Sequence, residues 1–210
     1  MNRKLLQVAI AASVIAFASS AKAEEEFKFL DDPTFYGGFG IGQSSVDTGV
    51  TAVTGSASLD EKDTGFKFFG GVNLNKFISV ELFYADLGQA SLSGNTGDTF
   101  QSDGTTFIFT GSGSITLEGI SYGLVPVIGY DVTDNIRPFA KLGVERWEAE
   151  ATVQSAVSTV NLSDSGTDLV YGGGVMFKLN KNIGFSAEFE RYQFDSDDVD
   201  LISVGALYTF

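Results

Sequence analysis

Apolar and polar residues alternate at a period of two through most of this chain, and no stretch holds a helical period. Segment 64–74 sets Phe66, Phe68, Gly70 and Val72 against Lys67, Phe69, Gly71 and Asn73. Segment 77–87 sets Ile78, Val80, Leu82 and Tyr84 against Ser79, Glu81, Phe83 and Ala85. In 168–179 Leu169, Tyr171, Val175 and Phe177 oppose Met176 and Lys178, and in 183–193 Ile183, Phe185, Ala187 and Phe189 oppose Gly184, Ser186, Glu188 and Glu190. With 34–46, 116–132, 136–151 and 199–210 the pattern predicts eight strands, each with one apolar face and one face that collects the charges.

The connections predict how the strands are arranged. Leu74-Asn75-Lys76, Thr133-Asp134-Asn135 and Asn180-Lys181-Asn182 are tight, amide-rich hairpin turns. Between them lie longer polar loops, 47–63, 88–115 and 152–167, and a short one at 194–198. Short turns at one end and long loops at the other predict an all-β fold, an eight-stranded antiparallel up-and-down transmembrane β-barrel with its short turns periplasmic. An even strand count lets the first and last strands pair, which removes edges that hydrocarbon does not tolerate.

The aromatics sort into two belts on the apolar face. Phe77, Tyr130, Phe177, Phe185, Tyr208 and Phe210 lie near the short turns; Phe66, Phe68, Tyr84, Tyr122, Tyr171 and Phe189 lie towards the loops. Such belts match the two interfaces of a bilayer, and a soluble lipocalin-like barrel has no use for them. The other face therefore points inward, and Lys67, Glu81, Lys141, Glu145, Lys178, Glu188 and Glu190 form the expected lumen set. A Lys or Arg turned to lipid near the midplane instead costs about 2–4 kcal/mol. Two residues sit awkwardly. Pro126 falls inside the fourth strand, where a β-bulge is expected, and strict alternation turns Trp147 inward, unless a bulge or the barrel rim redirects it.

Residues 1–23 read as a removable export signal: basic Asn2-Arg3-Lys4, a short apolar stretch, then small Ala21 and Ala23 at the signal-peptidase positions. Residues 24–210 then form one barrel domain. The chain has no Cys, so neither a lipid-modified cysteine nor a disulfide frame holds it. The formal net charge of −14 argues against nucleic acid as a partner. It also has no His, so Ser121, Ser186 and Ser203 lack an imidazole to activate them, and no catalytic set, metal site or cofactor is predicted. Asp195-Ser196-Asp197-Asp198-Val199-Asp200 lacks the glycine and distal glutamate of a calcium loop and reads as an acidic rim.

The final strand runs Ser203-Val204-Gly205-Ala206-Leu207-Tyr208-Thr209-Phe210. Thr34-Phe35-Tyr36-Gly37-Gly38-Phe39-Gly40-Ile41-Gly42, Val80-Glu81-Leu82-Phe83-Tyr84-Ala85-Asp86-Leu87-Gly88 and Phe139-Ala140-Lys141-Leu142-Gly143-Val144 are equally distinctive. On these segments the chain resembles the small eight-stranded outer-membrane barrels, the OmpA-like and surface-opacity porin-like superfamily, over its whole expected mature length. The resemblance implies a lumen closed by a charged network, with Glu81 and Glu188 at acidic positions and Lys141 at a basic one. Val127 and Met176 stand where that pattern carries charge. The resemblance also implies that Ser203, Gly205, Tyr208 and Phe210 are the signal read by the barrel assembly machinery. A peptidoglycan-binding domain often follows such barrels; because this sequence ends at the last strand, none is expected here. The expected location is the outer membrane of a Gram-negative bacterium. The partners would be membrane lipid and lipopolysaccharide, assembly machinery and periplasmic chaperones, and a host surface ligand as a further candidate. Three roles are open at this point: structural and surface-presenting, a low-conductance or gated pore, and an adhesin acting through its long loops.

Overall fold

Alternation at period two closes the chain on itself in the computed structural model, which describes residues 29–102, 104–195 and 197–210. The proposed signal segment, with Ala21 and Ala23, lies outside the described residues. Eight long strands form the wall: β1 (Thr34–Val46), β4 (Lys62–Asn73), β5 (Ile78–Gly94), β8 (Gly113–Gly129), β9 (Ile136–Ser155), β10 (Thr159–Lys178), β11 (Ile183–Phe194) and β12 (Asp197–Thr209). Each pairs antiparallel with its neighbour, and β1 pairs with both β4 and β12, so the sheet is a closed ring. Closure leaves no strand edge of the wall open to hydrocarbon.

The outward residues are apolar and exposed, among them Phe35, Phe39, Phe68, Leu82, Val144, Val175, Ile202 and Val204. A surface of this kind is matched to lipid, since soluble proteins do not carry so large a contiguous apolar band. The two aromatic belts are present, and Phe77 at the short-turn end stacks on Tyr130 with ring centroids 6.2 Å apart.

Three corrections concern the loops and Pro126. The segment 152–167 is not a loop: β9 and β10 continue as a hairpin to Ser155 and from Thr159. Segment 47–63 supplies β2 (Val50–Thr54) and β3 (Ser58–Asp60), and segment 88–115 supplies β6 (Thr99–Ser102) and β7 (Thr105–Ile108). β2, β6 and β7 make a small second sheet above the barrel, and β3 extends the wall beside β5. At Pro126 there is no bulge. The β8–β9 register is the same on both sides of it, and only the rungs at Val125 and Pro126 are missing, while the β5 side stays paired. The proline costs a local pair of rungs and no shift. The irregularity sits instead in β5 between Asp86 and Gln89. There Gly88 adopts φ +67°, and a Cβ on it would meet the Asp63 side chain at 2.8 Å, so both backbone and space require glycine.

Candidate functional site in the barrel interior

Eight strands enclose an interior just wide enough for side chains, so what fills it decides whether anything passes. Five of the predicted lumen residues meet at mid-barrel. Lys67 on β4 places Nζ 2.8 Å from Glu188 Oε2 and 2.5 Å from Glu190 Oε2. Lys141 on β9 places Nζ 2.8 Å from Glu81 Oε1, 2.8 Å from Glu188 Oε2 and 3.7 Å from Glu190 Oε1. Hydroxyls donate to the same carboxylates: Tyr36 to the second oxygen of Glu81 (3.1 Å), Ser186 to the second oxygen of Glu188 (2.7 Å) and Tyr192 to the Glu190 Oε2 that Lys67 also holds (3.3 Å). Phe69 lies under both ammonium groups, at 5.2 and 5.5 Å. Among the described residues no buried side-chain nitrogen or oxygen lacks a partner, which is the condition for charge to be tolerated there.

A glycine stands across a rung from each of these charges. Gly40 faces Lys67, Gly71 faces Glu81, Gly172 faces both Lys141 and Glu190, and Gly174 faces Glu188. At Gly172 the space is needed by the charged neighbour itself, since a Cβ there would meet Glu190 Cγ at 2.9 Å. The same device seats the aromatics: a Cβ on Gly71 would meet the Tyr36 ring at 2.6 Å.

The other two predicted lumen charges are elsewhere. Glu145 is buried on the loop side of the cluster, where it accepts from the Ser121 hydroxyl and, at 2.9 Å, from the Gln193 backbone N–H. Lys178 lies at the short-turn mouth, its side chain 33% exposed, and pairs with Asp131 at 2.7 Å. Alternation gave the face of Lys178, but not its height in the barrel. Trp147 does point inward, with Nε1 donating to Asp168 at 2.9 Å and its ring stacked on Phe194 at 5.1 Å. Asp198 and Asp200, read as a free rim, are held by Arg191 at 3.4 and 2.5 Å. Sequence reasoning did not find the roles of Tyr36, Tyr192, Ser186 and Phe69; their inward positions were legible, their meeting was not.

Below the cluster a cavity of about 600 Å³ opens to the short-turn side, bounded by Tyr36, Phe69, Glu81, Lys141 and Glu188. Above the cluster Phe83, Leu87, Val125, Tyr192 and Leu201 are buried together. The lumen is thus a vestibule closed by an ionic layer and then an apolar one. At the other end of the chain, Ser203 is buried, while Tyr208 and Phe210 face outward and meet edge to face at 5.2 Å.

Known proteins share this architecture. The chain is 26% identical to outer membrane protein A of Salmonella typhi over 219 residues, and 26% identical to that of Escherichia coli O157:H7 over 216. Both alignments cover 99% of this chain but 55% of the relative, so the chain spans about half the length of the curated relatives it matches. Among solved structures, the attachment invasion locus protein Ail of Yersinia pestis superposes with TM-score 0.51 at 19% identity, covering 85% of this chain and 97% of Ail. OprG of Pseudomonas aeruginosa superposes with TM-score 0.50 at 13% identity, covering 85% and 95%. The sequence model described as outer membrane protein beta-barrel domain matches residues 9–210. The chain belongs to that family, and it is an integral β-barrel of the Gram-negative outer membrane.

Proposed function

We propose that this protein is a closed structural barrel of the envelope that presents an acidic β-platform outside the cell, and that it is neither an open pore nor an enzyme. The observation that carries this reading is the double closure of the lumen: a fully paired ionic layer under a buried apolar layer. For ions to pass, Lys67 and Lys141 must leave their carboxylates and Phe83, Leu87 and Tyr192 must separate at once. The lumen charges are accordingly structural, with Lys178 and Asp131 ordering the mouth. Residues 1–23 act as the export signal, cut after Ala23, and 24–210 is the working domain. Lipid and lipopolysaccharide surround the wall. The assembly machinery and periplasmic chaperones handle the chain through Ser203, Gly205, Tyr208 and Phe210 before β12 is paired on both sides.

Contact with a host surface is the second reading, supported by the hairpin extension of β9 and β10. A separate structure of Ail holds the heparin analogue sucrose octasulfate. Here the extension carries Glu148, Glu150 and Asp164, with Glu118 of β8 beside them, so a sulfated polyanion is the wrong ligand class for it.

Two measurements test the proposal. Purified protein in planar bilayers is expected to give no discrete openings; regular unitary steps would replace the structural reading with a pore. Val157 is 94% exposed at the hairpin tip and the chain has no Cys. In intact cells Val157→Cys is expected to react with a membrane-impermeant maleimide, and protection from it would remove the surface-presenting role.

A further inference from the structure

The short-turn half of the lumen is a blind pocket with an apolar wall. Its ceiling is the ionic layer, where Lys141 and Glu81 hold one another at 2.8 Å. Below that layer the wall is made by Val127 of β8, Phe139 of β9, Met176 of β10 and Leu207 of β12. Gly184 of β11 deepens it, since a Cβ there would stand 3.5 Å from both Leu207 and Met176. The volume of about 600 Å³ is that of a small-molecule site. Water is held poorly against this wall, because Val127, Phe139 and Leu207 offer it no hydrogen bond.

Charge at the mouth is sorted by exposure. Asp31, Asp32, Lys76, Asp131, Asp134 and Lys181 line it from exposed positions. The two withdrawn charges are cations: the Arg137 side chain is 11% exposed and that of Lys178 33%. They share one carboxylate, Asp131, at 3.4 and 2.7 Å, so the pair keeps a positive charge in excess. Arg137 also donates from Nη1 to Lys76 O at 2.7 Å, but its Nε and Nη2 have no acceptor among the described residues. Solvent reaches both donors, since no buried side-chain nitrogen lacks a partner. This edge of the guanidinium lies over Gly129, where a Cβ would come within 2.7 Å of Nε and 3.2 Å of Nη2. Glycine thus seats the flat group and leaves a fork that fits one carboxylate.

We propose that the vestibule is a binding site for a small amphipathic carboxylate, with its head on the Nε–Nη2 fork of Arg137 beside Lys178 and its apolar body among Val127, Phe139, Met176 and Leu207. Arg137 and Lys141 are four residues apart on the inward face of β9, so head and ceiling are separated by about 13 Å of strand. That space takes a bicyclic or medium-length apolar body, and Phe139 offers an aromatic one a ring to pack on. An organic cation is the wrong class of ligand, because Arg137 and Lys178 stand at the mouth and Lys141 at the ceiling. The site goes beyond the structural role: the closed ceiling means that the ligand is held and not passed.

Met176 is the only methionine after Met1, so its isotopically labelled methyl group reports on the wall alone. The test titrates the whole barrel in lipid nanodiscs with naphthylacetate and with its neutral analogue naphthylethanol, following that methyl signal. Naphthylacetate is expected to shift it saturably, and naphthylethanol to bind at least tenfold more weakly. Arg137→Gln is expected to weaken naphthylacetate about tenfold and leave naphthylethanol unchanged, with cold SDS mobility as the check on folding. Gly184→Leu fills the space between Met176 and Leu207 and is expected to abolish the shift with Arg137 intact. No saturable shift, equal binding of the two probes, or full binding in Arg137→Gln overturns the proposal. A shift that survives Gly184→Leu also overturns it, because the probe then acts from the lipid.

Discussion

Lys67 shows how the lumen stays charged and closed. Its ammonium is shared between Glu188 and Glu190, while Lys141 holds Glu81 and Glu188 closely and Glu190 only at 3.7 Å. Lys67→Met therefore strips Glu190 of its near cation and is expected to destabilise the barrel by about 3–5 kcal/mol. Adding Glu190→Gln removes the stranded charge, so the double variant is expected to recover a large part of the loss. Urea unfolding in lipid vesicles, read from Trp147, the single tryptophan, measures both; equal losses in single and double variants would show the two charges to be uncoupled. At this scale the sequence was legible for direction and illegible for company. Period-two alternation turned Trp147 and all seven lumen charges to the correct face. It could not tell that Lys178 stops at the mouth, or that Glu145 sits apart with Ser121, because height depends on strand tilt and stagger. The glycine facing each charge is visible in the sequence only after the register is known, since partners such as Lys67 and Gly40 are far apart along the chain.

Elements were legible where the bilayer imposes alternation and lost where it stops. The wall strands were all found, but their extensions above the membrane were read as loops because polar residues such as Thr116, Thr152, Asn161 and Ser163 replace the outward apolar residues there. Those extensions are tied by a polar knot. Asp98 accepts from the backbone N–H of Asn95 (2.8 Å) and of Ser56 (3.0 Å) and from the Ser56 hydroxyl (2.7 Å), and so joins the segment after β2 to the segment before β6. These bonds, the Asn95 and Ser56 backbone donors first, hold its carboxyl below the usual aspartate range. A lowered folded-state value means that the contribution is complete above the ordinary pKa of a free aspartate, about 4, and is lost as pH falls through the lowered value. Below about pH 4, the amides of 95–112 are expected to exchange faster while those of the barrel wall do not. In Asp98→Ala the same amides are expected to exchange fast at every pH; a persistent acid transition in that variant would assign the effect to another group.

For the whole molecule, the decisive step is closure, and Phe210 separates the signal for closure from the strength of the closed state. Its backbone N–H donates to Phe35 O at 2.9 Å and so helps to fasten β12 to β1, but its ring is 77% exposed and touches mainly Tyr208. Replacing the ring by a methyl leaves the backbone bond in place and removes little buried contact. An assembly role and a packing role therefore predict different results. If the ring is read during insertion, Phe210→Ala lowers the folded amount in the cellular outer membrane several-fold, seen as loss of the faster unboiled band on SDS gels. The same variant refolded from urea into lipid vesicles keeps the unfolding midpoint of the parent. A parallel fall in both quantities would make Phe210 part of the closed wall's stability, and no change in either would remove it from the assembly signal. The first pattern is expected because an exposed aromatic at the end of a strand contributes little to a barrel that has already closed, while before closure that strand is the free end on which the ring must be completed.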